Sequence, residues 1–255
     1  MKQAETKGIF FDLYGTLLIY GDVNAAWSDW LTGFYNALCE DGLAMSREAF
    51  ASHCDAFFGR DELPAANDGL TVFERRILSL GSDLGLRLPA ARTKHIAMTI
   101  ADAWHRHVSL DPEAFPILMT LRRHGKRLAL VSNFDHPPYV RAVLAQHKLD
   151  RLFDAVVISG DVGVKKPDPE IFAVALDATD LKGREVVYVG DTDDDVKGAL
   201  AAGLTPVLIR RADQASHAAT QDFRSHSDAT PNPGTGGDGR VMIITRLSEL
   251  RGIVR

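Results

Sequence analysis

The sequence has few cysteines and no long apolar run, and each absence argues against a class of protein. Cys39 and Cys54 are its only cysteines and provide neither a disulfide framework nor a CxxC metal pair, which fits a reducing compartment. The apolar run Ile9–Phe11 ends at Asp12 and is too short for the core of a signal peptide. No stretch approaches the ~20 apolar residues of a membrane-spanning helix. We therefore expect a cytoplasmic protein with no membrane partner.

The sequence also lacks an excess of basic residues. It has 34 acidic and 29 basic residues among 255, for a net charge of −5. A nucleic-acid-binding protein usually presents a basic face, so we expect no nucleic-acid partner. The content of 45% hydrophobic and 25% charged residues is ordinary for a globular chain. A chain of this length can form one large domain, or a core with a smaller second domain. The sequence does not indicate an oligomeric state.

Six short apolar runs predict buried strands. Most are continuous rather than alternating, which is typical of a parallel sheet that is covered on both faces. Helical segments lie between them, so the pattern predicts an α/β fold with a doubly wound, Rossmann-like sheet. Ligands bind such sheets at the carboxyl ends of the strands. The runs are Gly8–Leu13, Arg127–Ser132, Ala155–Ser159, Val186–Val189, Thr205–Ile209 and Val241–Ile244.

A long segment after the first strand breaks the alternation of strands and helices. Residues 19–110 read as almost entirely helical, with apolar positions recurring at helical spacing, as in Trp27, Trp30 and Phe34. We expect a helical cap over 19–110, inserted into a core formed by 1–18 and 111–255. Residues 225–239 hold no large apolar side chain and predict a flexible loop.

Polar side chains follow the first two predicted strands of the core. Asp12 ends the first run and is followed by Gly15, which permits a tight turn with amides facing the carboxylate, and by Thr16. Ser132 and Asn133 end the second run, and such groups can hold an anionic oxygen without adding charge. Each motif alone is also compatible with a simple turn.

Two further motifs lie downstream. Lys166 precedes Pro167, which favours an extended backbone, and a fixed lysine beside carboxylates can neutralise them and anchor a phosphoryl group. Asp191 directly follows a predicted strand and Asp195 lies in the first turn of the next helix. Four carboxylates within five residues repel one another, and Mg²⁺ would relieve that repulsion. Lys165 and the pair Arg210–Arg211 are expected to be solvated.

The order and spacing of these four motifs resemble the signature of the haloacid dehalogenase-like (HAD) hydrolases. The motifs are Asp-x-x-Gly-Thr, Ser-Asn, Lys-Pro-Asp-Pro and Gly-Asp-x-x-x-Asp. The resemblance covers essentially the whole chain, because the helical insert lies where that family carries its α-helical cap. It implies a hydrolase in which Asp12 is a nucleophile that forms a covalent intermediate.

The resemblance also assigns the other site residues. Thr16 and Ser132 are expected to bind the transferring group and Lys166 to balance the charge of Asp12. Substrate binding would involve Tyr14, Gly15 and Asn133. The implied ligands of Mg²⁺ are Asp12, the carbonyl of Tyr14, Asp191 and Asp195, which bind it directly or through water.

Position 14 departs from the family's phosphatases, which carry there an aspartate that protonates the leaving group and activates water. The tyrosine resembles instead the first motif of the 2-haloacid dehalogenases, which need neither that acid nor a metal. Those enzymes, however, replace the Gly-Asp of the fourth motif, which is intact here as Gly190-Asp191. They also use a cap arginine, and the context of Arg47 does not match it.

We therefore expect a Mg²⁺-dependent phosphatase of a small phosphorylated metabolite. A 2-haloacid dehalogenase and a weakly catalytic binding protein are the alternatives. A proton donor from the insert could replace the missing aspartate, and the candidates are His53, Asp55 and Glu62. A Schiff-base mechanism like that of phosphonoacetaldehyde hydrolase is rejected, because the one cap lysine, Lys94, is far from the expected place.

Overall fold

The structure is a computed structural model that describes residues 5–54, 57, 68–211 and 241–253. Its strands are β1 Gly8–Phe11, β2 Leu18–Tyr20, β3 Val108–Leu110, β4 Arg127–Ser132, β5 Ala155–Ile158, β6 Val186–Gly190, β7 Thr205–Ile209 and β8 Met242–Ile244. Its α-helices are α1 Val23–Glu40, α2 Arg47–Cys54, α3 Val72–Asp83, α4 Ala90–His105, α5 Ala114–Arg123, α6 Pro137–Gln146, α7 Ser159–Val162, α8 Glu170–Thr179, α9 Asp193–Ala201 and α10 Leu250–Ile253. The predicted loop at 225–239 lies outside the described residues.

Six of the strands form one parallel sheet in the order β5-β4-β1-β6-β7-β8. They are the six apolar runs of the sequence, so the predicted Rossmann-like α/β core is confirmed. The central strand β1 is buried along its whole length, with no exposed surface on Ile9, Phe10 or Phe11. A continuous apolar run is required here because both faces of the strand are covered.

Local signals in the sequence account for the helix ends that matter for the core. Helix α9 begins at a capping box, in which the Thr192 hydroxyl accepts from the amide of Asp195 and the Asp195 carboxylate accepts from the amide of Thr192. Helix α5 is followed by Gly125 and helix α9 by Gly203, at φ of 72° and 76°. Glycine adopts this left-handed conformation without the strain of a Cβ, so both helices end there.

The described chain separates into two compact units. The first contains residues 5–20, 109–211 and 241–253 and holds the parallel sheet. The second contains the described residues from 21 to 108 and is formed by α1, α2, α3 and α4. The division into a catalytic core and a cap at 18/19 and 110/111 stays a prediction.

The helical unit has its own apolar core. Trp30, Phe34, Phe50 and Phe57 lie at its centre, and their rings contact one another edge-on or tilted at centroid distances of 5.3–5.6 Å. Helix α1 packs mainly against α4. The expectation of an almost wholly helical insert missed the short strands β2 and β3, which pair with each other.

No described helix combines the length and the apolar character that crossing a membrane requires.

Candidate active site

The carboxyl edge of the sheet collects the polar residues that follow its central strands. Asp12 follows β1, and the last residue of β1, Phe11, is in register with Leu130 of β4 and Val189 of β6. Ser132 is the last residue of β4, and Asp191 follows β6. Because β1 lies between β4 and β6, Asp12 has Ser132 on one side and Asp191 on the other. The topology therefore places the first, second and fourth sequence motifs side by side.

Lys166 brings the third motif into the same cluster. Its ammonium lies 2.6 Å from Oδ1 of Asp12 and 2.7 Å from Oδ1 of Asp195, and its side chain is buried. Burial alone would lower the pKa of Lys166, but the charges of Asp12 and Asp195 outweigh that effect and raise the pKa above its ordinary value. Lys166 is therefore a permanent cation that both carboxylates share.

Both carboxylate oxygens of Asp195 accept several hydrogen bonds from the protein. Its Oδ1 accepts from Lys166 and from the Tyr188 hydroxyl, and its Oδ2 accepts from the amides of Asp191 and Thr192 and from the Thr192 hydroxyl. Burial would raise the pKa of Asp195, but Lys166 and these hydrogen bonds hold it below its ordinary value. Asp195 thus fixes the lysine and the start of α9.

Tyr188 is a member of this network that the sequence analysis did not single out. It lies in the buried strand β6, and its hydroxyl accepts from Lys166 at 3.0 Å and contacts the Val131 carbonyl at 3.1 Å. Burial, together with the charges of Asp195 and Asp12, raises the pKa of Tyr188 well above its ordinary value, so the phenol stays protonated. A signal was present, because Tyr188 is two residues before Gly190 and shares a strand face with it.

Asp191 differs from its two neighbours because one of its oxygens lacks a partner. Oδ1 is buried and makes no hydrogen bond to any described residue. Burial, together with the charges of Asp12 and Asp195, raises the pKa of Asp191 well above its ordinary value. Asp12, Asp191 and Asp195 each offer an oxygen within 4.8 Å of the others. The residues therefore form an acidic cluster whose donors and unmet charge fit a hard divalent cation.

Two glycines make room for this cluster. A Cβ on Gly15 would lie 2.0 Å from Oδ2 of Asp191, and a Cβ on Gly190 would lie 2.4 Å from Cγ of Asp195. Gly15 also has a φ of +86°, which disfavours other residues. Its amide donates to the Leu18 carbonyl at 2.7 Å. Gly15 contributes space and a turn.

Replacing Gly15 with alanine should destabilise the site by more than the turn conformation alone costs. We expect the free energy of unfolding to fall by about 1–3 kcal/mol from backbone strain, with an added loss from the collision with Asp191. Gly125→Ala is the matched control, because Gly125 has a φ of +72° and open space around it. Urea unfolding of both variants measures the difference, and equal losses would contradict this account of Gly15.

Asn133 holds the main chain of Lys166. Its Oδ1 accepts from the amide of Lys166 at 2.8 Å and its Nδ2 donates to the Lys166 carbonyl at 3.0 Å. Both ends of the side-chain amide are thus engaged with the main chain of one residue. These contacts hold the main chain of Lys166, and substrate binding by Asn133 stays a prediction.

The two expected hydroxyl groups remain available for a ligand. Thr16 and Ser132 are both buried, and neither hydroxyl oxygen has a hydrogen-bond partner among the described residues. A buried hydroxyl without a partner is costly, so these groups are ready to bind an anionic oxygen.

Tyr14 lies in an aromatic stack. Its ring is buried and parallel to those of Phe134 and Tyr20, at centroid distances of 5.1 and 6.2 Å and interplanar angles of 11° and 23°. The stack explains why an aromatic residue is accommodated at position 14. Contact with Phe134 and Tyr20 also restricts the movement of the Tyr14 ring.

The remaining residues considered in the sequence are the arginines after β7 and the candidate residues of the insert. Arg210 is exposed as expected, but Arg211 is not solvated, since its guanidinium pairs with the buried Asp111 at 2.6 Å. His53 is exposed on α2, whereas the other two candidate proton donors lie outside the described residues. Arg47 begins α2 and contacts the Ser28 hydroxyl at 3.4 Å.

Known proteins resemble this chain in sequence and in fold. The family model for haloacid dehalogenase-like hydrolases matches residues 6–203, and the chain belongs to that family. Among solved structures, the HAD phosphatase from Thermococcus onnurineus is 25% identical, with a TM-score of 0.65 over 98% of both chains. The similarity therefore extends over essentially the full length of the chain.

Two relatives with assigned activities match shorter stretches of the chain. Glyceraldehyde 3-phosphate phosphatase of Methanopyrus kandleri is 36% identical over 145 residues, which cover 54% of this chain and 58% of that protein. (S)-2-haloacid dehalogenase 4A of Burkholderia cepacia is 32% identical over 107 residues, which cover 42% of this chain and 46% of that protein. The chain thus spans about half the length of each of these two relatives.

Proposed function

We propose that this protein is a Mg²⁺-dependent phosphatase of a small phosphorylated metabolite, with Asp12 as its nucleophile. The observation that carries the proposal is Asp191, whose buried oxygen has no partner among the described residues although it lies in a cluster with two other carboxylates. A buried cluster of three carboxylates destabilises the fold unless a cation offsets its charge, so the cluster favours a metal-dependent enzyme. The phosphatases among the related proteins support the same reaction. The cytoplasmic location stays a prediction.

The reaction would proceed in two displacements at phosphorus. A carboxylate oxygen of Asp12 attacks the phosphoryl group, a new O–P bond forms, and the bond to the leaving oxygen breaks with its electron pair on that oxygen. Water then attacks the phosphorus of the aspartyl phosphate, which releases inorganic phosphate and restores the carboxylate. Lys166 would balance the negative charge of the Asp12 carboxylate before the attack and after its release, because its ammonium lies 2.6 Å from Oδ1 of Asp12.

The residues that would hold Mg²⁺ are Asp12, Asp191 and the main-chain carbonyl of Tyr14. Asp195 would act through water, since both of its oxygens already accept several hydrogen bonds. When bound, Mg²⁺ would offset the repulsion between these carboxylates and a phosphate anion and stabilise negative charge on the transferring group.

The phosphoryl oxygens would be held by groups that carry no charge. The hydroxyls of Thr16 and Ser132 are buried and without partners in the described chain, so each can donate to an anionic oxygen. Gly15 would assist by leaving room for Asp191 beside the nucleophile. Substrate binding by Asn133 stays a prediction.

Tyr14 favours substrates whose leaving group departs without a proton donor at this position. A phenol is a poor base near neutral pH, and the ring is held in a stack between Phe134 and Tyr20. Phosphates with acidic leaving groups would meet this condition. So would a 2-haloacid, whose halide leaves unprotonated. Position 14 therefore favours a dehalogenase as the second candidate, and a haloacid dehalogenase is among the related proteins.

A panel of substrates assayed with Mg²⁺ and with EDTA tests the proposal. We expect phosphate release that requires Mg²⁺ and is faster for aryl and acyl phosphates than for alkyl phosphates. Chloride release from 2-chloropropionate in the same preparations measures the alternative reaction. Chloride release in EDTA without phosphate release in Mg²⁺ would favour the dehalogenase, and a lack of both activities would support a binding protein.

Asp191 should make the stability of the metal-free protein fall as pH rises. Its folded pKa is raised above the unfolded value of 3.8, so the folded state keeps this proton longer. Stability from Asp191 is therefore present below 3.8 and is lost as pH rises through the folded pKa, with a limiting slope of about 1.4 kcal/mol per pH unit. Urea unfolding in EDTA measures it.

Asp191→Asn is the comparison that isolates this residue from other titrating groups. The difference between wild type and Asp191→Asn in EDTA should grow in favour of the variant as pH rises. Saturating Mg²⁺ should stabilise only the wild type, because the variant loses a ligand. Parallel pH profiles and equal stabilisation by Mg²⁺ would contradict a metal site at Asp191.

A further inference from the structure

The loop that carries the nucleophile accepts hydrogen bonds from Arg211, which is remote from it in the sequence. We call residues 12–17 the nucleophile loop. Arg211, two residues after β7, donates from Nη1 to the Gly15 carbonyl at 2.5 Å and from Nη2 to the Thr16 carbonyl at 2.7 Å. Nη2 also lies 2.6 Å from the Asp111 carboxylate. The guanidinium therefore joins two successive carbonyls of the loop to a buried acid.

Asp111 completes the attachment. Its amide donates to the Leu17 carbonyl at 2.9 Å, and its Oδ1 accepts from the amide of Glu113 at 2.7 Å. The carbonyls of residues 15, 16 and 17 are thus all bound by Arg211 and Asp111. Because Asp111 directly follows β3, the same pair also ties the loop to the point where the chain re-enters the core.

We infer that Arg211 is a positioning residue for the proposed phosphoryl transfer, acting with Asp111 to fix the main chain of the nucleophile loop. The inference rests on the proposed function, since it takes Asp12 as the nucleophile and Thr16 as a phosphoryl-binding group. Its guanidinium contacts main-chain carbonyls and Asp111, so Arg211 acts through the loop and is not a catalytic residue.

The chemistry of the site explains why an arginine stands at this position. A guanidinium is planar and can serve several acceptors at fixed angles, whereas an ammonium is a point charge on a flexible stem. The Arg211 side chain is 11% exposed and that of Asp111 is 7% exposed, so loss of the cation would leave a buried carboxylate uncompensated. The Gly15 and Thr16 carbonyls would then lose the donor that sets their direction.

Displacement of this loop should affect turnover more than binding. A shift of about 1 Å in a reacting group can cost ~100-fold in rate. We therefore expect Arg211→Ala to lower kcat by about 100-fold on p-nitrophenyl phosphate while KM changes by less than about 3-fold. The dissociation constant for Mg²⁺ should rise by about 10-fold, as is typical when a residue that supports a metal ligand is lost.

The experiment compares Arg211→Ala and Arg211→Lys with Arg210→Ala, which removes the same charge from an exposed neighbour. Kinetics, calorimetric titration with Mg²⁺ and Tm are measured on each folded variant. Added guanidinium ion should restore about 10-fold of the lost kcat of Arg211→Ala, because it can occupy the vacated position. Arg211→Lys should stay impaired, and Arg210→Ala should match wild type.

Two results would overturn the inference. One is wild-type kcat and wild-type Mg²⁺ affinity in folded Arg211→Ala. The other is a loss that follows the folded fraction alone, with no rescue by guanidinium and full activity in Arg211→Lys. If Arg211→Ala does not fold, the Arg211→Lys variant decides between impairment and wild-type behaviour. If the wild type hydrolyses no phosphate ester, the proposed function fails and the Mg²⁺ titration alone decides the role of Arg211.

Discussion

Replacing Asp12 with asparagine should abolish turnover and leave the fold intact. The amide has no nucleophilic carboxylate, so we expect kcat to fall by at least about 10⁴-fold, the order of loss seen when an active-site carboxylate is removed. The fold should survive because Lys166 keeps Asp195 as a partner at 2.7 Å and the repulsion between positions 12 and 191 is relieved. Phosphate release and Tm are the measurements.

The matched control for this variant is Asp193→Asn, which removes an exposed carboxylate from the first turn of α9. It should retain wild-type turnover. Asp12→Asn should melt within ~4 °C of wild type, which corresponds to about 1 kcal/mol for a chain of this size. Substantial activity in Asp12→Asn, or equal loss in both variants, would contradict the assignment of Asp12 as nucleophile.

Replacing Lys166 with methionine should damage both stability and catalysis. The substitution leaves Asp12 and Asp195 buried without their shared cation, and breaking a buried ion pair in this way costs about 3–5 kcal/mol. We also expect kcat to fall by about 10²–10³-fold, because the charge that balances the nucleophile is lost. Urea unfolding and steady-state kinetics on the folded fraction measure the two effects.

Lys165→Met is the control, since Lys165 is the exposed neighbour of Lys166. Lys165→Met should change neither the free energy of unfolding nor kcat appreciably. The double variant Lys166→Met/Asp195→Asn should recover part of the lost stability, because one uncompensated carboxylate is removed, but it should not recover turnover. A Lys166→Met protein as stable as wild type would contradict the account of a buried, charge-balanced cluster.

The sheet and the outline of the site could be predicted from the sequence because both depend on local patterns. Continuous apolar runs such as Ile9–Phe11 indicate strands that are buried on both faces. Polar residues that end such runs, among them Asp12, Ser132 and Asp191, must then lie at one edge of a parallel sheet. Proximity of these residues follows from topology alone, without any knowledge of their contacts.

Side-chain partners that are remote in the sequence could not be predicted in this way. Asn133 and Asp195 have the residue types of ligands, but the structure engages them with the main chain of Lys166 and with the start of α9. The position of Tyr188 on the same strand face as Gly190 was a signal in the sequence, but an aromatic residue is common in a buried strand, and its contacts with Lys166 and Asp195 depend on the fold. Arg211 looked like a solvated charge at a strand end, and only its distance to Asp111 shows otherwise.

The most direct test of the account is to find the covalent phosphate on Asp12. Wild-type protein is mixed with Mg²⁺ and an aryl phosphate, quenched with acid within the first turnover and digested, and the peptide that carries phosphate is identified by mass spectrometry. The account predicts a burst of aryl alcohol and phosphate on Asp12, with neither in EDTA or in Asp12→Asn. Turnover with phosphate on another residue, or with no burst and no phosphorylated peptide, would contradict it.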